Sequence, residues 1–147
     1  MSRKKIVMLA LSVSLVTGAV LTGGCAGNQT APPETAGQII ENVSPQEALN
    51  LIQENQNNPD FVILDVRTAE EVADGHIEEA INIDFYSETF RDEVNRLDKN
   101  RTYLIYCRSG GRSGNALDIM DELNFREVYN ISDGIIAWEA EGLPTVK

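Results

Sequence analysis

The chain is poor in cysteine: Cys25 and Cys107 are the only two in 147 residues. That excludes a disulfide framework and every zinc-type ligand spacing. Basic residues are also scarce, 12 against 23 acidic ones, for a net charge of −11. Three of the basic residues (Arg3, Lys4, Lys5) fall in residues 1–24, which contain no acidic side chain. The remainder therefore holds 9 basic against 23 acidic residues, a balance of −14. Such a domain repels nucleic acid and anionic surfaces, and its acidity serves solubility. Internal repeats, a dinucleotide-binding glycine motif and a phosphate-binding P-loop are all absent. The length suits one domain with a proper core.

The N-terminus reads as a targeting segment. Arg3-Lys4-Lys5 make a basic start, and Ile6 to Leu21 is apolar apart from Ser12, Ser14, Thr17 and Gly18. Small residues and then Cys25 follow, the layout of a secretory signal over residues 1–24. Gly23-Gly24-Cys25 resembles the lipobox of bacterial-type lipoproteins, although Thr22 stands where leucine is commoner. Lipid on Cys25 would tie the protein to the membrane outside the cytoplasm, on the periplasmic side or at the cell surface. The alternative is an uncleaved anchor, for which the apolar run is a little short. Residues 25–38, with Pro32-Pro33 and no apolar period, form a flexible tether to a domain at 39–147.

Strand and helix signals alternate through that domain. Ile39-Ile40 and Val43 predict a first strand. Ser44-Pro45-Gln46-Glu47 predicts a capping box with proline at the first helical position. Phe61-Val62-Ile63-Leu64 reads as a strand buried on both faces. Thr68 and Glu71 form a second capping box for a helix ending near Asp74, and Gly75 breaks it. A strand at 80–83, a helix at 87–97 and a strand at 102–106 follow. A helix at 113–124, a strand at 128–131 and a terminal helix at 134–140 complete the chain, with Trp138 in the core. The pattern predicts an α/β fold with a mainly parallel five-stranded sheet and helices on both faces. Functional groups in such sheets lie beyond the carboxyl ends of the strands. Cys107, Asp65 and Arg67 all fall there, and Asp65 is expected to pair with an arginine near the Cys107 loop.

Chemistry concentrates at Cys107-Arg108-Ser109-Gly110-Gly111-Arg112-Ser113, between the fourth strand and the fourth helix. Two glycines permit a tight turn. A loop curled at a helix start gathers backbone N–H groups into one anion-binding concavity. With Arg108 and Arg112 adding positive charge, Cys107 is expected to be an acidic, nucleophilic thiol. Ser109 and Ser113 read as loop and helix-cap residues. His76 is either a base for Cys107 or a structural residue pinning a turn, and its place before a strand favours the turn.

This loop resembles the active-site loop of rhodanese domains, sulfurtransferases that carry sulfur as a cysteine persulfide. Asp65-Val66-Arg67, Gly75-His76-Ile77, Ala80-Ile81-Asn82, Asp133-Gly134, Ala137-Trp138 and Gly142-Leu143-Pro144 stand in the family's order. Asp133 departs from it, since glycine is usual there. The resemblance spans about Ile39 to Lys147 and implies a rhodanese-like three-layer fold.

It also implies transfer of sulfane sulfur from thiosulfate, a polysulfide or a persulfide to a thiophilic acceptor through a persulfide on Cys107. The expected partners are a small anionic donor and a thiol or cyanide-like acceptor, protein thiols included. No metal or other cofactor is needed, and the domain is expected to be a monomer. Cysteine phosphatases and arsenate reductases place an arginine after five intervening residues. Here Ser113 holds that position and Arg112 lies one residue earlier, making a cup that is tight for phosphate. A binding module and a redox sensor are further readings. The intact cysteine loop weakens the first, and the lack of a second cysteine in the mature domain weakens the other.

Overall fold

The computed structural model describes residues 37–147. The proposed signal segment, Cys25 and the tether before Gly37 lie outside them. Among the described residues five strands and five helices alternate: β1 (Ile39–Val43), α1 (Pro45–Glu54), β2 (Phe61–Asp65), α2 (Ala69–Asp74), β3 (Ile81–Asn82), α3 (Phe90–Asn95), β4 (Thr102–Tyr106), α4 (Gly111–Glu122), β5 (Glu127–Ile131) and α5 (Gly134–Ala140). The strand order is β1-β5-β4-β2-β3, and every neighbouring pair is parallel.

Local sequence explains how the helices start. Ser44 and Glu47 cap each other at α1, with the Ser44 N–H 2.8 Å from Glu47 Oε2 and the Glu47 N–H 3.3 Å from Ser44 Oγ. Thr68 and Glu71 do the same at α2. Gly75 closes α2 with a backbone bond to the Val72 carbonyl.

The central strand β4 sets the two cores, because successive side chains point to opposite faces. Tyr103 and Ile105 pack with Leu64, Val66, Phe90, Val94, Ala116, Leu117 and Met120, the α3 and α4 side. Leu104 and Tyr106 pack with Ala48, Ile63, Ile135 and Trp138, the α1 and α5 side. Cys107 continues the first series and belongs to the α4-side core. Trp138 also donates its indole N–H to the Pro144 carbonyl at 2.9 Å, fastening the C-terminal segment.

Some element boundaries differ from expectation. β3 is two residues rather than four, since only Leu64 and Asp65 pair with it. The first residues assigned to α3 form a turn instead. Asp84 accepts the Tyr86 and Ser87 N–H groups there, and Ser87 accepts that of Phe90. α4 begins earlier, at Gly111, and ends at Glu122. The first turn of β2 is only half-buried, because β3 is too short to cover Phe61 and Val62.

Candidate active site

Cys107 stands immediately beyond β4 with its side chain almost wholly buried, at 1% exposure. Two glycines make the cup that follows. Gly110 takes the left-handed conformation at φ 85°, and a Cβ there would meet the Asp133 backbone N at 3.0 Å. Gly134, at φ 62°, is tighter still. A Cβ on it would lie 2.4 Å from the Cys107 carbonyl oxygen and 2.7 Å from Arg108. That close approach lets α5 hold the loop: the Ile135 and Ile136 N–H groups donate to the Cys107 and Arg108 carbonyls at 2.9 and 3.1 Å. Asp133 itself sits at φ 58°, which explains why glycine suits that position and why a short polar residue can replace it.

The Ser113 hydroxyl is the side-chain donor that reaches the sulfur. Burial alone pushes the thiol up. The Ser113 hydroxyl and the backbone N–H groups of Ser113, Ser109 and Arg112 together outweigh it, and the thiol ends below its ordinary value. Ser113 Oγ lies 3.4 Å from Cys107 Sγ and 3.2 Å from the Gly110 carbonyl oxygen. One hydroxyl proton can serve only one of them at a time. Ser113 is therefore not the cap expected of it. It is fully buried in the first turn of α4 and aimed at the sulfur.

The arginines are used differently from one another. Arg112 makes a two-toothed pair with Glu71, at 2.6 and 2.7 Å, and its guanidinium lies 5.3 Å from the Tyr86 ring centroid. Bonding to Arg112 holds the Glu71 carboxyl down at about 2. The expectation that Arg112 adds free positive charge beside the thiol is thus corrected. Its charge is offset by a residue 41 positions away that the sequence marked only as a helix-cap partner. Arg108 is exposed, and among the described residues it has no carboxylate within ion-pair distance.

Asp65 does pair with an arginine, but with Arg67 on its own segment rather than with Arg108 or Arg112. Arg67 donates to it from its backbone N–H at 3.0 Å and from Nε and Nη2 at 2.9 and 2.6 Å. Arg67 Nη2 also reaches the Gly75 carbonyl at 2.7 Å. Desolvation works against the charge of Arg67, but the Asp65 carboxylate more than compensates and raises its pKa. Asn82 ties the same corner with two side-chain bonds to the Asp65 and Arg67 carbonyls.

His76 takes the structural place: its Nδ1 lies 3.2 Å from the Val72 carbonyl oxygen, and its backbone bridges Val146 in both directions. Among the described residues no group of three or more acidic, cysteine or histidine side chains could hold a metal ion.

A cleft of about 350 Å³ lies beside the loop, and its wall includes the charged side chains Arg67, Arg108, Glu71, Asp74 and Glu139. A slightly larger cleft, about 370 Å³, lies against Phe61–Ile63 and the end of α1, away from Cys107, and brings no nucleophile or cation into its wall.

The Rhodanese-like domain family profile matches residues 44–141. A sulfurtransferase of Allochromatium vinosum is 34% identical over 104 residues, covering 71% of this chain and 95% of that protein. A tRNA uridine(34) hydroxylase of Photorhabdus laumondii is 33% identical over 110 residues, but the match covers only 31% of it. Among solved structures, a rhodanese-like domain protein from Staphylococcus aureus superposes with a TM-score of 0.58 at 30% identity, covering 73% of this chain and 99% of that one.

Proposed function

The chain belongs to the rhodanese-like domain family, and we propose that it moves sulfane sulfur through a persulfide on Cys107. The observation that carries this is a single buried sulfur at the start of a helix with the Ser113 hydroxyl 3.4 Å from it, in surroundings where that hydroxyl and the backbone N–H groups of Ser113, Ser109 and Arg112 lower the thiol. They favour thiolate over thiol. After transfer, the same donors stabilise the charge on the terminal sulfur, as an oxyanion hole stabilises developing negative charge. The Cys107 thiolate attacks the outer sulfur of a donor such as thiosulfate. The donor's S–S bond breaks, sulfite leaves with the bonding pair, and Cys107 keeps the outer sulfur as a persulfide. A thiol or cyanide then takes that sulfur and restores the thiolate. Two half-reactions on one cysteine predict ping-pong kinetics. Ser109, Gly110, Gly111 and Ser113 shape the cup, Arg108 meets an anionic donor, and Asp65 with Arg67 buttresses the neighbouring corner. No cofactor takes part in this scheme. The proposal includes secretion on residues 1–24 and lipid attachment at Cys25, both argued from sequence.

Mass spectrometry after thiosulfate treatment tests the reading. A gain of one sulfur on the Cys107 peptide, removed by cyanide as thiocyanate, is the expected result. Cys107→Ser should abolish it while the domain stays folded, because the change is small and the surrounding bonds are backbone ones. Transfer that survives Cys107→Ser would overturn the proposal, as would a domain that hydrolyses aryl phosphates through Cys107 but accepts no sulfur.

A further inference from the structure

The pairing of Arg112 bears on which donors the loop can take, and this inference rests on the sulfurtransfer reading above. The loop carries Arg108 and Arg112, and Glu71 bonds Arg112; the cleft beside them is also walled by Arg67, already paired with Asp65, and by the carboxylates Asp74 and Glu139. The Glu71–Arg112 pair is held by two short bonds, and its side chains keep only 27% and 15% of their exposure. Tyr86 lies over the guanidinium on another side. Arg112 is therefore not free to swing toward a donor without giving up both bonds. Because bonding to Arg112 holds Glu71 down at about 2, the pair stays intact and neutral at any pH at which the thiol works. That leaves Arg108 as the one loop cation without a carboxylate partner among the described residues. It stands in a chain whose overall charge is −11. One positive charge is a poor match for a dianion approaching an anionic sulfur, and a better match for a monoanion.

We infer that Glu71 sets the donor charge: by neutralising Arg112 it makes the Cys107 loop prefer singly charged sulfane-sulfur donors over the thiosulfate dianion. Glu71 acts through Arg112, as a positioning residue, and does not touch the donor. The preference is for charge and leaves the chemistry unchanged. In both cases the thiolate attacks the outer sulfur, one S–S bond forms and one breaks. Sulfite leaves from thiosulfate, and methanesulfinate leaves from methanethiosulfonate.

Those two donors are the probes, because they carry the same outer sulfur on a sulfonyl centre and differ by one charge. The wild-type protein should show a higher kcat/KM with methanethiosulfonate, with most of the difference in KM. Glu71→Gln keeps the side-chain shape and one acceptor oxygen in the first turn of α2 but releases the charge of Arg112. It should raise kcat/KM for thiosulfate about tenfold relative to methanethiosulfonate, as a second cation then faces the dianion. Arg112→Gln should move the same ratio the other way, because it leaves Glu71 unpaired beside the loop. It also serves as the test if the first variant does not fold. If Glu71 is only a helix-cap residue, both donors slow in parallel and the ratio stays fixed. A fixed ratio in both variants, with measurable rates, overturns this inference and spares the sulfurtransfer reading. A wild-type protein that accepts sulfur from neither donor overturns the sulfurtransfer reading itself.

Discussion

Asp65 and Tyr106 are register partners on neighbouring parallel strands, and Cys107 is the next residue. The two strand ends thus lie side by side at the same edge of the sheet, yet they are finished in opposite ways. Beyond β2, every strong group is consumed. The Asp65 carboxylate takes three donors from Arg67, Arg67 adds the Gly75 carbonyl, and Asn82 holds the backbone from the far side. Beyond β4, the backbone carbonyls of Cys107 and Arg108 are taken by α5, while N–H groups of the loop are left to face the sulfur. One corner is a closed ionic knot and the other is an open cup of neutral donors. A buried charge needs its partner at once, whereas a thiol can be buried uncharged and ionised when required. In the proposed scheme this is why the cysteine, and not the carboxylate, is the reactive group.

Strand parity keeps the two corners apart. Asp65 shares its side of the sheet with Ile63 and Tyr106, toward α1 and α5, and Arg67 lies 5.6 Å from the Tyr106 ring centroid on that side. Cys107 shares its side with Tyr103 and Ile105, toward α4. Adjacent in the sheet, the carboxylate and the thiol face different layers, and the sulfur depends on donors from its own loop.

The comparison breaks most visibly if the closed corner is opened. Asp65→Asn leaves the guanidinium of Arg67 buried without its bonded counter-charge, which should cost about 3–5 kcal/mol of stability. Denaturant unfolding would measure it. The surviving folded protein should alkylate at Cys107 with an unchanged pH midpoint. A destabilisation under 1 kcal/mol would mean that water reaches Arg67, and a shifted midpoint would mean that the corners are coupled.

The cup itself offers a sharper contrast, between glycines. Gly134→Ala must place a Cβ 2.4 Å from the Cys107 carbonyl oxygen at a left-handed φ of 62°. Together, strain and displacement should cost about 3 kcal/mol and pull the loop from α5. Gly114→Ala lies within α4, where a Cβ meets nothing within 4 Å. It should stabilise the domain by up to about 1 kcal/mol through helix propensity. Paired thermal melts check both, and equal signs would mean that Gly134 has more room than its geometry gives.

Much of this was legible in the sequence because it is local. Both capping boxes, the cysteine at the end of an apolar strand and the glycine-bearing loop into a helix are contiguous patterns, and each folds as its residues dictate. The strand and helix alternation sufficed for the layered parallel sheet. What escaped was long-range or set by the edges. Nothing near Glu71 in the chain points to Arg112, since the pair closes only when α2 and the loop meet at the carboxyl ends of the neighbouring strands β2 and β4. β3 is short because its sole neighbour is the last step of β2, which no hydrophobic pattern encodes. The Ser113 contact depends on α4 starting two residues early, so that the hydroxyl comes round to the sulfur instead of capping the helix.

That contact supports the subtlest prediction. Ser113→Ala removes the hydroxyl donor to Cys107 and leaves the Ser109, Arg112 and position-113 amides in place. Because the donors lower the thiol below its ordinary value, losing one must raise it, and the thiolate fraction at neutral pH must fall. A hydrogen bond to a charged group contributes about 1.5–3 kcal/mol. The length of this one, 3.4 Å to sulfur, argues for the low end, an upward shift of about one pH unit in the alkylation midpoint. At high pH, where both proteins are fully ionised, the two rates should converge. Arg112→Ala should move the midpoint less, because its charge is already offset by Glu71 while its backbone N–H survives the substitution. Following iodoacetamide alkylation of Cys107 across pH in both variants decides between neutral donors and net charge. If Arg112→Ala shifts the midpoint as far as Ser113→Ala does, the guanidinium reaches the thiolate despite its partner. The open cup would then be an ionic device like the corner beside it.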